Sequence, residues 1–175
     1  MPLIVHDEKV KISQEQIDRN NWVKNHLKST SIEYIYKLPK EIMCNIEGKR
    51  IYISHYPMNE DGSFKKHIKK ANIEENHEMF LGIEADIYLY GHTHRNIYNI
   101  KDNKIYINPG SVGCPEETNN AWYGILNIEN DNIEYKQETI SYNKQKVIKD
   151  IEKTAFPGYE SAIKLFFGVD NNNLT

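Results

Sequence analysis

Apolar residues recur along this chain with two periods, and the change from one to the other marks out its elements. Ser13-Gln14-Glu15-Gln16 has the form of a capping box. Ile17, Val23 and Leu27, with Trp22 beside them, then give an apolar stripe to a helix running to about Lys28. A second short helix is predicted over 32–36, ending before Pro39 because a residue ahead of proline avoids helical backbone. The period then falls to two. Ile42, Cys44 and Ile46 alternate inward, Glu47-Gly48 makes a turn, and residues 49–54 return as the second strand of a hairpin. Residues 58–72 are polar, and Lys65, Lys66, Lys69 and Lys70 around Ile68 read as a solvated face rather than a phosphate-attracting lid. A helix over 73–83 follows, so His67 and His77 read as exposed helix residues and not as ligands.

Ile87-Tyr88-Leu89-Tyr90 has the β-branched and aromatic content of a buried strand. Four more strands are predicted over 96–100, 104–107, 121–128 and 133–140, with turns at Asp102-Asn103 and Asn130-Asp131-Asn132. A helical region begins over 141–150, is interrupted at Pro157-Gly158, and resumes over 159–167; Asn171-Asn172-Asn173 are expected to fray. Strands mixed with helices make this an α/β (α+β) chain, and 175 residues without repeats or a linker fit one domain over 1–175.

Composition narrows the function classes. A net charge of −3 shows no concentrated basic face, so there is no nucleic-acid signature. No segment has the length and apolarity of a membrane span, and the start lacks a signal-peptide layout. Cys44 and Cys114 lie far apart and form no Cys-x-x-Cys pair, which excludes zinc-ribbon and thioredoxin readings and makes a cytoplasmic location the expectation. His6 and His26 read as surface residues.

The candidate chemistry lies in Gly91-His92-Thr93-His94, directly after the 87–90 strand. A glycine allows a sharp turn there, and in an extended segment residues two apart point the same way, so the two imidazoles are expected to converge. The strand over 49–54 also ends in a histidine, His55, ahead of Tyr56-Pro57. A His-x-His in a random loop is more often solvated, and a lone strand-end histidine more often meets a backbone carbonyl. Two strands each ending in histidine favour a metal, for which neutral imidazole is a common ligand. The loop Asn108-Pro109-Gly110-Ser111-Val112-Gly113 is expected to pack beneath these residues and shape the pocket floor. A cupin also carries His-x-His on a strand, but it needs a glutamate shortly after, and 95–100 contains none.

With His55 before Pro57, Gly91-His92-Thr93-His94 and the 108–113 loop in this order, the chain resembles the calcineurin-like metallophosphoesterases, in particular their small bacterial branch. The helical end from Tyr142 through Pro157 to Gly168 is similar to one branch of those enzymes. The resemblance implies a four-layer α-β-β-α sandwich with the site at the carboxyl ends of the strands. It implies that His55 and His92 ligate one metal and His94 a second, and that Arg95 helps to hold the substrate phosphate. Two divalent ions (manganese, iron, zinc or nickel) would activate a bridging hydroxide to hydrolyse small phosphomonoesters or phosphodiesters.

A complete member of that family opens with Asp-x-His, Gly-Asp and Gly-Asn-His blocks, which supply the other ligands and a general acid. This sequence contains none of them, and His6-Asp7 follows no Gly-Asn. The resemblance thus implies a carboxyl-terminal portion, an amino-terminally truncated domain impaired on its own, with no assignable catalytic acid. Met1 then stands as an internal methionine, the start of a shortened gene, or the start of a chain whose amino half is separate. Such a chain is expected to pair with that half, or with itself through an exposed sheet edge. The alternative is a non-catalytic metal-binding or interaction module derived from the same fold.

Overall fold

The computed structural model describes residues 13–114 and 119–169, and the readings made above for His6 and for Asn171 to Asn173 fall outside them. The element order is α1 (Gln14–His26), α2 (Ser29–Lys37), β1 (Glu41–Ile46), β2 (Lys49–Ser54), α3 (Ile73–Met79), β3 (Ile87–Leu89), β4 (Asn96–Lys101), β5 (Lys104–Pro109), β6 (Asn120–Glu129), β7 (Asn132–Ser141), α4 (Lys144–Thr154) and α5 (Tyr159–Phe167). All the expected strands form. The helix predicted over 73–83 ends at Met79, because Gly82 and the turns around it redirect the chain toward β3. No helix among the described residues is long and apolar enough to cross a membrane.

Five strands form one sheet in the order β1-β2-β3-β5-β4, and β6 with β7 forms a second. Strands β2, β3 and β5 are parallel to one another, while β1 and β4 are antiparallel edges. The registers put Tyr52 beside Tyr88 and Tyr88 beside Tyr106, so one face of the three central strands carries a row of tyrosines. The same registers align Ile51, Ile87 and Ile105, and then Ile53, Leu89 and Ile107, on the other face. Successive side chains of a strand point to opposite faces, and the sheet sorts aromatic from aliphatic by that rule alone.

Each face has its own cover. Phe80 and Met79 of the α3 segment pack on the tyrosines, with Phe80 4.9 Å from Tyr88 between ring centroids. Asn76 of α3 is fully buried among these rings, and its polar atoms are satisfied: Tyr90 Oη donates to its Oδ1 at 2.5 Å, and its Nδ2 donates to the Asn72 carbonyl at 3.0 Å. On the aliphatic face, Leu126 and Ile128 of β6 and Ile133 and Tyr135 of β7 cover Ile51, Ile87, Ile105 and Ile107. The result is a mixed α/β fold with two facing sheets and helices at the flanks. Helices α4 and α5 pack on each other through Ile148, Ile163 and Phe167.

The amino-terminal helices behave differently from the pattern expected. Ser13 caps α1 by accepting from the Gln16 amide at 3.2 Å, but no residue of the helix is buried, and its stripe of Ile17, Val23 and Leu27 is 38–43% exposed. Its contacts run to the carboxyl-terminal helices instead: Trp22 meets Phe156 at 5.9 Å between centroids, and Ser161 Oγ donates to Glu15 at 3.3 Å.

Candidate functional site

Three parallel strands end side by side, and each hands over to a loop that carries chemistry. His55 follows β2, Gly91 and His92 follow β3, and Asn108 lies near the end of β5. Ligand sites of open α/β sheets gather at the carboxyl ends of parallel strands for this reason. Because β4 lies beyond β5 in the sheet, the chain from β3 must arch over the end of β5 to reach it, and residues 91–95 make that arch. The fully buried Asn108 holds it from beneath. Its Nδ2 donates to the Gly91 carbonyl and to Thr93 Oγ1, both at 3.0 Å, while its Oδ1 accepts from the Gly110 amide at 3.0 Å.

The arch is not extended, so the strand-like alternation from which His92 and His94 were expected to converge does not apply to it. His92 and His94 both take left-handed backbone, with φ of 70° and 56°, and the Thr93 amide donates to the Gly91 carbonyl at 2.8 Å. Gly91 itself stays out of the left-handed region, so the sharp turning falls on the histidines. Left-handed non-glycine residues are uncommon and costly, and they tend to mark sites held in shape by their surroundings. His92 meets His55 and His67, and His94 meets Phe166 at 6.1 Å between centroids.

His55 Nε2 lies 3.0 Å from His92 Nδ1, and His67 Nδ1 lies 3.3 Å from His92 Nε2. Metal–nitrogen bonds of about 2.0–2.1 Å put adjacent ligands of an octahedral ion about 3.0 Å apart. The His55–His92 pair fits two such positions. His67 meets the opposite nitrogen of His92, so the three rings do not converge on one point, and among the described residues no group of three His, Cys, Asp or Glu side chains is arranged to hold an ion. Burial first, and then the neighbouring imidazoles of His67, His55 and His94, push His92 down to about 4. It is therefore neutral at physiological pH, the form that binds metal.

His67 was not identifiable from the sequence. It sits in a loop rather than on a helix, and only the path of residues 58–72 back across the sheet end brings it to His92. The fixing contacts of that loop are the Lys65 ammonium on the Met79 carbonyl at 2.6 Å and Tyr56 Oη accepting from the Ile68 amide at 3.0 Å. His77 is half-buried rather than exposed, its Nδ1 3.0 Å from Tyr106 Oη and away from the other histidines. Arg95 is half-buried at the end of the arch. Beside the histidines opens a cavity of about 260 Å³, lined by His67, Lys69, His92, Thr93, His94, Leu165 and Phe166; Arg95 is not among its lining.

Comparison with known proteins identifies the family and the fold. The family model described as the calcineurin-like phosphoesterase superfamily domain matches residues 8–131. An uncharacterized protein of Methanocaldococcus jannaschii is 29% identical over 169 residues, covering 84% of this chain and 63% of that protein. The phosphodiesterase YfcE of Escherichia coli is 35% identical over 68 residues, 39% of this chain and 34% of YfcE. The crystal structure of a hypothetical protein from Pyrococcus horikoshii shares the fold, with a TM-score of 0.73 at 17% identity over 93% of this chain and 64% of that one. The chain thus spans less than two-thirds of the length of each of these relatives.

Proposed function

The chain belongs to the calcineurin-like phosphoesterase superfamily, and we propose that it serves the hydrolysis of a small phosphomonoester or phosphodiester at a divalent-metal site built on His55 and His92. One observation carries this reading: adjacent parallel strands deliver two imidazole nitrogens to within 3.0 Å of each other at the carboxyl edge of the sheet. A manganese, iron, zinc or nickel ion bound there supplies Lewis acidity toward a phosphoryl group and lowers the pKa of water. His55 and His92 would hold it through the paired ring nitrogens. With Nδ1 of His92 so used, its proton resides on Nε2 and donates to His67 Nδ1, which fixes the ring. His94, on the cavity wall, serves a second ion in this reading, and Arg95, at the end of the arch, helps to hold the substrate phosphate.

Two nitrogens fill two positions of a shell that needs four to six. We propose that the remaining ligands and the proton donor for the leaving oxygen come from protein groups beyond those described, in cis or on a separate chain, and that the 175-residue chain alone is impaired. The test is metal content after desalting, together with hydrolysis of bis(p-nitrophenyl) phosphate in manganese or nickel. The chain alone is expected to retain at most one ion weakly, to lose it in His92→Ala, and to turn over at background until the further segment is added. Retention of the ion by His92→Ala overturns the site. Metal retention without turnover even after that addition makes the protein a non-catalytic metal-binding module instead.

A further inference from the structure

The cavity beside the histidines is half polar and half apolar in a way the phosphoesterase reading leaves unused. Its polar side is His67, Lys69, His92 and His94; its apolar side is Leu165 and Phe166, at the end of α5. Helix α5 already has a buried face: Ala162, Ile163 and Phe167 lie inward, and Ile163 is fully enclosed against α4. Leu165 belongs to none of the core clusters and is 69% exposed. A single exposed leucine is ordinary. This one, however, adjoins the half-buried Phe166 and closes the wall of a cavity whose opposite side is cationic and imidazole-rich. An exposed aromatic, Phe64, stands 5.6 Å from His92 between ring centroids, so apolar surface collects around these imidazoles from two separate segments.

We propose that this cavity receives the organic half of the substrate, and that the substrate class is a phosphate ester carrying one small apolar or aromatic ring. The phosphoryl group lies toward His67, Lys69 and His92, and the ring lies against Leu165 and Phe166. The proposal rests on the phosphoesterase reading of the same site and adds the substrate class to it. The cavity is about 260 Å³, below the roughly 300–1,000 Å³ of drug-sized ligand sites, which is room for one small ring. With His92 Nδ1 taken up by a metal, His67 Nδ1 would accept from His92 and its proton would stand on Nε2, a donor suited to a phosphoryl oxygen. Lys69 adds a positive charge on the same wall. A leucine and a phenylalanine side by side match the face of a ring, where a polar alcohol would leave their surface wet.

The experiment compares phenyl phosphate, methyl phosphate and phenol binding to the purified chain by calorimetry or amide chemical-shift titration, with manganese content measured in parallel. Phenyl phosphate is expected to bind about tenfold more tightly than methyl phosphate, and phenol alone not measurably. Leu165→Ala is exposed enough to leave the fold intact, and it is expected to bring phenyl phosphate down toward methyl phosphate without weakening methyl phosphate. Phe166→Leu checks the same wall with a conservative change. Lys69→Ala is expected to weaken both esters alike. Equal affinity for the two esters, or a Leu165→Ala variant that keeps the preference, overturns the ring subsite and leaves the phosphoesterase reading standing. Failure of both esters to bind, with manganese retained by His92→Ala, overturns both.

Discussion

Asn108 Nδ2 lies 3.0 Å from the Gly91 carbonyl, and this bond from the end of β5 anchors the arch that carries His92 and His94. The same amide also engages Thr93 Oγ1 and the Gly110 amide, so one buried side chain satisfies three groups of two loops. Replacing Asn108 by Ala leaves the Gly110 amide without its partner, while the Gly91 carbonyl keeps only the Thr93 amide, and an orphaned buried polar group costs about 1–3 kcal/mol. Asn108→Ala is expected to lower the urea midpoint accordingly. Asn108→Asp is expected to be at least as damaging, because an acceptor then faces a carbonyl oxygen. Urea unfolding of both variants at neutral pH is the measurement, and a wild-type midpoint in both would remove Asn108 from its anchoring role.

Gly110 and Gly113 offer a paired test of the same loop. Gly110 has φ of +88°, and an added Cβ would lie 3.1 Å from Trp122 Cβ. An L-residue held in left-handed backbone costs about 1–2 kcal/mol before any contact is counted. Gly110→Ala is therefore expected to destabilise by at least that much. Gly113→Ala, with nothing within 4 Å of the new Cβ and ordinary backbone, is expected to stay within about 0.5 kcal/mol of wild type. Equal effects in thermal unfolding would show that the loop adapts.

The tyrosine row predicts a weakness at alkaline pH. Burial is the first cause that pushes Tyr52 up to about 12, with the Glu41 carboxylate that accepts its hydroxyl adding to it, and burial followed by Tyr88 does the same to Tyr106. In the unfolded chain these phenols ionise near their ordinary value of about 10. Between pH 10 and 12 the folded state then binds more protons than the unfolded state, so stability is full below pH 10 and falls as pH rises toward 12. Absorbance at 295 nm followed against pH, with circular dichroism in parallel, should show these tyrosines titrating together with unfolding. Tyr106→Phe, which cannot ionise, is expected to shift that transition upward, and an unchanged midpoint would count against the argument.

The histidines separate by position. His55→Ala and His92→Ala each remove half of the paired nitrogens and are expected to abolish metal retention. His67→Ala removes the partner of the other His92 nitrogen, and loss of such an orienting contact typically costs about 10–100-fold in metal affinity. His77→Ala, at a ring bonded to Tyr106 on α3, is expected to leave metal affinity unchanged. Isothermal titration with manganese ranks the four. An effect of His77→Ala as large as that of His92→Ala would mean that the site is misplaced.

What the sequence by itself determined about this protein is its strand content and its strand ends. Alternation in Lys49–Ser54 and the β-branched and aromatic run after Asp86 are local signals, read by counting, and burial of an isoleucine or tyrosine contributes enough to fix which side of a strand turns inward. His55 and His92 were legible because each directly follows such a strand, and Asn108 because its loop is dense in proline and glycine. Tertiary structure decided the rest. The crossing from β3 over β5 to β4 runs through left-handed turns at His92 and His94, which an extended His-x-His pattern does not foretell. His67 and Lys69 come to the site by the return path of a polar loop, and Leu165 by the docking of a helix nearly a hundred residues further on. Periodicity records which face of an element is apolar, but not what that face meets. The stripe on α1, with Ile17 and Val23 exposed, shows the same separation between a pattern in the chain and the partner that covers it.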